Sequence, residues 1–63
     1  MRIKGAMTIL KKRAEFYGID LETLIIQIDV GFDETIKVLQ AYEVYMRDQG
    51  YRWSGINGER WVK

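Results

Sequence analysis

A chain of 63 residues with 48% hydrophobic and 30% charged residues and a net charge of +1 is expected to fold as one small domain rather than stay disordered. It has no cysteine and no histidine, so disulfides, thiolate metal sites and imidazole bases are all excluded. No apolar run approaches the ~20 residues of a transmembrane helix, and the N-terminus lacks the apolar stretch of a signal peptide. The expectation is a cytoplasmic protein with no membrane partner.

Residues 1–4 read as a short strand or a loose arm. A first helix is expected over residues 6–17. Met7, Leu10, Ala14 and Tyr17 follow helical spacing, with Ile9 and Phe16 widening the stripe. Gly18 suits a left-handed helix end, and Ile19 the apolar residue that follows it. Asp20 is placed to cap a second helix over residues 20–28, whose stripe is Leu21, Leu24, Ile25 and Ile28. Ile26 lies off that stripe. Asp29-Val30-Gly31 ends the helix.

Asp33 then reads as the cap of a third helix over residues 33–49, with Glu34 in its first turn, where the helix dipole favours an acid. Ile36, Val38, Leu39, Tyr42, Tyr45 and Met46 form its apolar side. Lys37, Gln40, Glu43, Arg47 and Asp48 form its wet side. The chain closes, over residues 51–63, with two short aromatic and basic runs around Asn57-Gly58, a strong hairpin signal. A loop centred on Ile56-Asn57-Gly58, with Gly58 left-handed, sets Trp53 opposite Trp61. It gathers Tyr51, Trp53 and Trp61 on one face as a structural aromatic surface. Arg52, Ser54 and Arg60, with Lys63 nearby, are left to the other face. The fold class is α+β, mainly α: three helices and a C-terminal β-hairpin packed on them.

The charges are segregated. Residues 1–17 carry five basic side chains against Glu15, residues 18–50 carry seven acids against Lys37 and Arg47, and residues 51–63 carry three basic side chains against Glu59. Basic ends and an acidic middle are complementary patches that steer association with a partner or with another copy. The basic candidates are Lys11, Lys12, Arg13, Arg52, Arg60 and Lys63. Catalysis is argued against: Thr8, Thr23, Thr35 and Ser54 show no nucleophile-and-base arrangement. No cofactor is implied, since Gly55 to Gly58 lacks the lysine and following helix of a phosphate loop. No metal is implied either, since the acids around Gly31 do not follow calcium-loop spacing.

A short helix, a turn, a longer helix and a hairpin, over residues 20–63, resemble the winged helix-turn-helix superfamily in element order. That resemblance implies nucleic-acid binding. Residues 33–39 would then open the reading helix, with Thr35, Lys37 and Gln40 as base readers, and the hairpin would be the wing, with Arg52, Arg60 and Lys63 on phosphates. From the residues themselves the reading is a non-enzymatic regulatory module. It acts through protein–protein contacts, a homodimer being motivated by surplus apolar residues Ile26, Val44 and Tyr45. The nucleic-acid-binding regulator is the alternative.

Overall fold

The computed structural model describes residues 1–55 and 58–63. The elements run α1 (Ile3–Tyr17), α2 (Leu21–Asp29), α3 (Ile36–Asp48), β1 (Arg52–Ser54) and β2 (Arg60–Val62). This is the α+β, mainly helical class that the sequence implies. The expected loop residues Ile56 and Asn57 lie outside the described residues.

The three helices end in the same way. Gly18, Gly31 and Gly50 each adopt a positive φ (70°, 81° and 90°), which a residue with a Cβ adopts only under strain. In each case the next amide reaches back five residues: Ile19 N–H to the Ala14 carbonyl, Phe32 to Gln27 and Tyr51 to Met46, at 2.8–3.0 Å. This Schellman closure satisfies carbonyls that the helix end leaves open, and an apolar contact by the residue after the glycine usually accompanies it. Ile19 and Tyr51 make that contact, both packing against the core. Phe32 does not: it is 74% exposed.

α1 begins three residues before the expected start, and the loose arm or strand expected at its front is instead its first turn. Ala6 N–H bonds the Arg2 carbonyl at 3.0 Å, and Ala6 is fully buried, so the helix extends to the residues that let Ala6 pack. α2 is capped as its sequence implies, with Asp20 Oδ1 accepting from the Thr23 amide at 2.8 Å. Hydrogen bonding by the Thr23 side chain, and after it by that amide, holds the Asp20 carboxyl below its ordinary range.

α3 starts later than expected, at Ile36 behind Thr35. Asp33 does not cap it, and Glu34 precedes its first turn. The reason is tertiary: the Asp33 carboxylate is buried against α1. Ile36, expected on the apolar side, is 73% exposed. Val44 and Tyr45, expected as surplus, are partly buried against the core.

α1 contributes Ala6, Leu10 and Ala14 to the core, α2 contributes Leu24 and Ile28, and α3 contributes Val38, Ala41, Tyr42 and Met46. The strands pair antiparallel with Trp53 opposite Trp61 and Ser54 opposite Arg60, the register the sequence favours. Trp61 meets Tyr42 edge to face at 6.0 Å between ring centroids, and Trp53 meets Trp61 in the same manner at 5.3 Å. The hairpin is thereby seated on α3 through one ring, with the second stacked outside it.

Candidate functional site

The chain between α2 and α3 is held to α1 by one carboxylate. Asp33 is 4% exposed. Arg13 Nε donates to its Oδ2 at 2.7 Å, and the Tyr17 hydroxyl donates to the same oxygen at 3.0 Å. The Thr35 amide donates to Oδ1 at 3.0 Å, closing an Asx-type turn. Arg13 Nη2 also donates to Thr35 Oγ1 at 3.0 Å. A buried carboxylate is costly unless paired and hydrogen-bonded, and Asp33 is both. The Arg13 bond, with help from Thr35 and Tyr17, keeps its carboxyl well below the usual carboxylate range despite burial. The same bond raises Arg13 above its already high value.

Residues 13, 16 and 17 meet because they lie three and four apart on a helix. The Arg13 guanidinium sits 5.2 Å from the ring centres of both Phe16 and Tyr17. Beside this junction α1 and α3 leave an open groove of about 360 Å³, lined by Ile9, Val38 and Phe16 with Lys12, Arg13, Thr35 and Lys37. Phe16 is 74% exposed. Among the described residues, no acidic side chain lines the groove. Because Arg13 is neutralised by Asp33, the remaining charges of the groove are those of Lys12 and Lys37.

Immediately outside the junction stand the apolar side chains of the connection: Phe32 next to Asp33, with Val30 before it and Ile36 after it, all largely exposed. Glu34, also exposed, flanks Asp33 on its other side. An exposed apolar segment with an acid in it is thus joined, through the Arg13–Asp33 pair, to an apolar groove with lysines beside it.

A second groove, of about 410 Å³, lies between α3 and the hairpin. Leu39, Tyr42, Trp53 and Trp61 line it together with Asp29, Glu43, Glu59 and Arg60. The Tyr42 hydroxyl donates to Asp29 Oδ1 at 3.0 Å. Burial, reinforced by that bond, raises the Tyr42 phenol well above its ordinary value.

The sequence candidates are therefore divided among several places. Lys12, Thr35 and Lys37, drawn from two separate readings, share the α1–α3 groove. Lys11, Gln40 and Arg52 are exposed and do not line either groove. Arg13, read as a partner contact, is committed to Asp33. Arg60 reaches the groove floored by Trp61 and Tyr42 instead of standing apart from the aromatic face. Lys63, grouped with Arg52 and Arg60, lies over the Tyr51 ring at 4.9 Å. Of the aromatic surface, Trp61 and Tyr51 are half-buried and Trp53 is 51% exposed.

Phe32 was missed as a surface residue. The signal for its backbone was present in Gly31-Phe32, which repeats Gly18-Ile19 and Gly50-Tyr51. Among the described residues, no group of three or more acidic side chains is placed to hold a metal ion, and no helix is long and apolar enough to cross a membrane. Comparison of the chain with protein-family models, with curated proteins and with solved structures finds no match.

Proposed function

We propose that this chain is a non-enzymatic binding module that acts through protein–protein contacts, and that its docking surface is the junction of α1 with the α2–α3 connection. The observation that carries this reading is Phe32. Two of three like helix endings pack the apolar residue that follows the glycine against the core, partly buried, and the third holds a phenylalanine out in solvent. The backbone there is fixed by the Phe32 amide bond on one side and by the Asp33 network on the other. Exposed ring area on a rigid support loses little conformational entropy on docking, which is the property of an interface anchor. Phe16 and Ile36 add exposed apolar surface on the elements that flank the connection, and exposed apolar surface of this kind marks interaction sites. The cysteine-free composition suits a module of the cytoplasm.

The test is a Phe32→Asp variant, immobilised beside the wild-type chain and exposed to a cell extract. Circular dichroism first checks its fold, which should persist because the amide bond of residue 32 does not depend on the side chain. A protein retained by the wild type and lost with the variant is the expected result. Equal retention by the two, or no retention together with a chain that stays monomeric in sedimentation, removes the reading.

A second reading is favoured by the meeting of Lys12, Thr35 and Lys37 in one groove beside exposed Phe16. Cations with an aromatic ring suit a nucleic-acid strand, which pairs phosphates with lysines and stacks a base on the ring. The order of three helices and an antiparallel hairpin is compatible with a winged helix-turn-helix regulator. In that case Thr35, Lys37 and Gln40 read bases, and Arg52, Arg60 and Lys63 hold phosphates. Titration with duplex and single-stranded DNA at low and high salt tests it: binding that falls with salt and is lost in Lys12→Glu and Lys37→Glu supports it, and no binding at low salt ends it.

A further inference from the structure

The docking surface carries both an apolar projection and an apolar groove, and their charges are opposite. Phe32 stands beside Glu34, in the acidic middle of the chain. The groove floor of Ile9 and Val38 is flanked by Lys12 and Lys37, and no acid among the described residues lines it. The Arg13–Asp33 ion pair at 2.7 Å ties the two together, because Arg13 lines the groove and Asp33 lies between Phe32 and Glu34. Projection and groove are therefore joined through one ion pair. A two-fold interface requires each copy to present both a feature and its complement on a single face. Complements on opposite faces build open chains instead.

We propose that this surface is self-complementary and that its occupant is a second copy of the chain. Across a two-fold axis, Phe32 of each copy enters the α1–α3 groove of the other, and Glu34 faces the partner's Lys12 and the partner's Lys37. This inference rests on the protein–protein reading and names its partner. The charge pattern favours a copy of this chain, since the acid that the groove lacks is supplied by the segment next to it. A standard interface covers about 800 Å² on each partner, roughly a sixth of the 4858 Å² this chain exposes. The groove between α3 and the hairpin does not compete as the site. Its lining of Asp29, Glu43 and Glu59 against Arg60 is net acidic, which disfavours the Glu34 segment that carries Phe32.

The experiment is sedimentation equilibrium on the purified chain and on two surface variants, Glu34→Lys and Lys37→Glu, each shown to be folded by circular dichroism. The wild type is expected to dimerise reversibly. Each variant alone sets like charges against each other twice across the axis, and its dimer should weaken at least about tenfold. Mixed in equal amounts, the two variants set opposite charges at positions 34 and 37 at both contacts, with the partner's Lys12 opposing the substituted position 34 at one of them, so the dimer should return in part, and in the mixture only. A wild-type dimer that the mixture does not restore overturns this interface. Assemblies larger than a dimer overturn the two-fold arrangement. A wild type that stays monomeric at millimolar concentration overturns self-association. In that last case the extract experiment separates two outcomes: Phe32-dependent retention of another protein leaves the protein–protein reading standing, and its absence removes both.

Discussion

The α2–α3 connection and the C-terminal hairpin are both attached to the helices, but by opposite means. The connection is tied down by directional bonds to one buried carboxylate, from Arg13, Tyr17 and the Thr35 amide. The hairpin is tied down by ring contact, Trp61 on Tyr42 and Trp53 on Trp61. The difference decides where apolar surface remains. A hairpin held by its aromatic side chains must commit them to its own attachment. A connection held by a carboxylate keeps its apolar residues free, and Val30, Phe32 and Ile36 stay in solvent without the segment coming loose. Polar anchoring and apolar exposure are thus two aspects of one arrangement.

The largest expected effect comes from removing the carboxylate. Asp33→Ala leaves Arg13 and the Tyr17 hydroxyl without their acceptor. It should cost about 2–3 kcal/mol, less than for a fully buried pair because Arg13 is partly exposed. Urea unfolding measures it, and a cost like that of an ordinary surface change would erase the contrast between connection and hairpin. The same contrast has a pH form. Asp33 titrates below its unfolded value, so its contribution is complete above roughly pH 4 and is lost progressively as the pH falls through the folded value. The wild type should therefore lose more stability on acidification than Asp33→Asn does.

The hairpin should respond less, and unequally. Trp61→Ala should cost about 2 kcal/mol, below the fully buried range because Trp61 is half-exposed. Trp53→Ala should cost less than about 1 kcal/mol, since its ring stacks on the outside. Denaturant midpoints of the two variants give the comparison, and equal costs would mean that the hairpin does not hang on one ring.

A similarly small effect belongs to Tyr42, where the two modes meet: its ring supports Trp61 and its hydroxyl donates to Asp29. Tyr42→Phe keeps the ring and removes the donor, and should cost about 1 kcal/mol. Because the phenol is raised, the wild type's advantage is complete below pH ~10 and disappears as the pH rises further. Stability curves of the two proteins should therefore converge on the alkaline side.

Local chemistry determined much of this protein. Glycine marked three helix ends, the first with Ile19 behind it, Asp20 marked the start of α2, and the segregation of aromatic from polar residues in the hairpin favoured Trp53 opposite Trp61. Each of these depends on residues within one or two turns of one another, so spacing alone carries the information. Tertiary structure decided the rest. Asp33 read as a helix cap until Arg13, twenty residues earlier in the chain, was brought against it. Phe32 shares its backbone motif with Ile19 and Tyr51, yet only its surroundings leave it exposed. Trp53 and Trp61 are equivalent by register, and contact with Tyr42 makes one of them an anchor. Where the partner of a side chain lies on another element, its role follows from how the helices assemble, which periodicity does not encode.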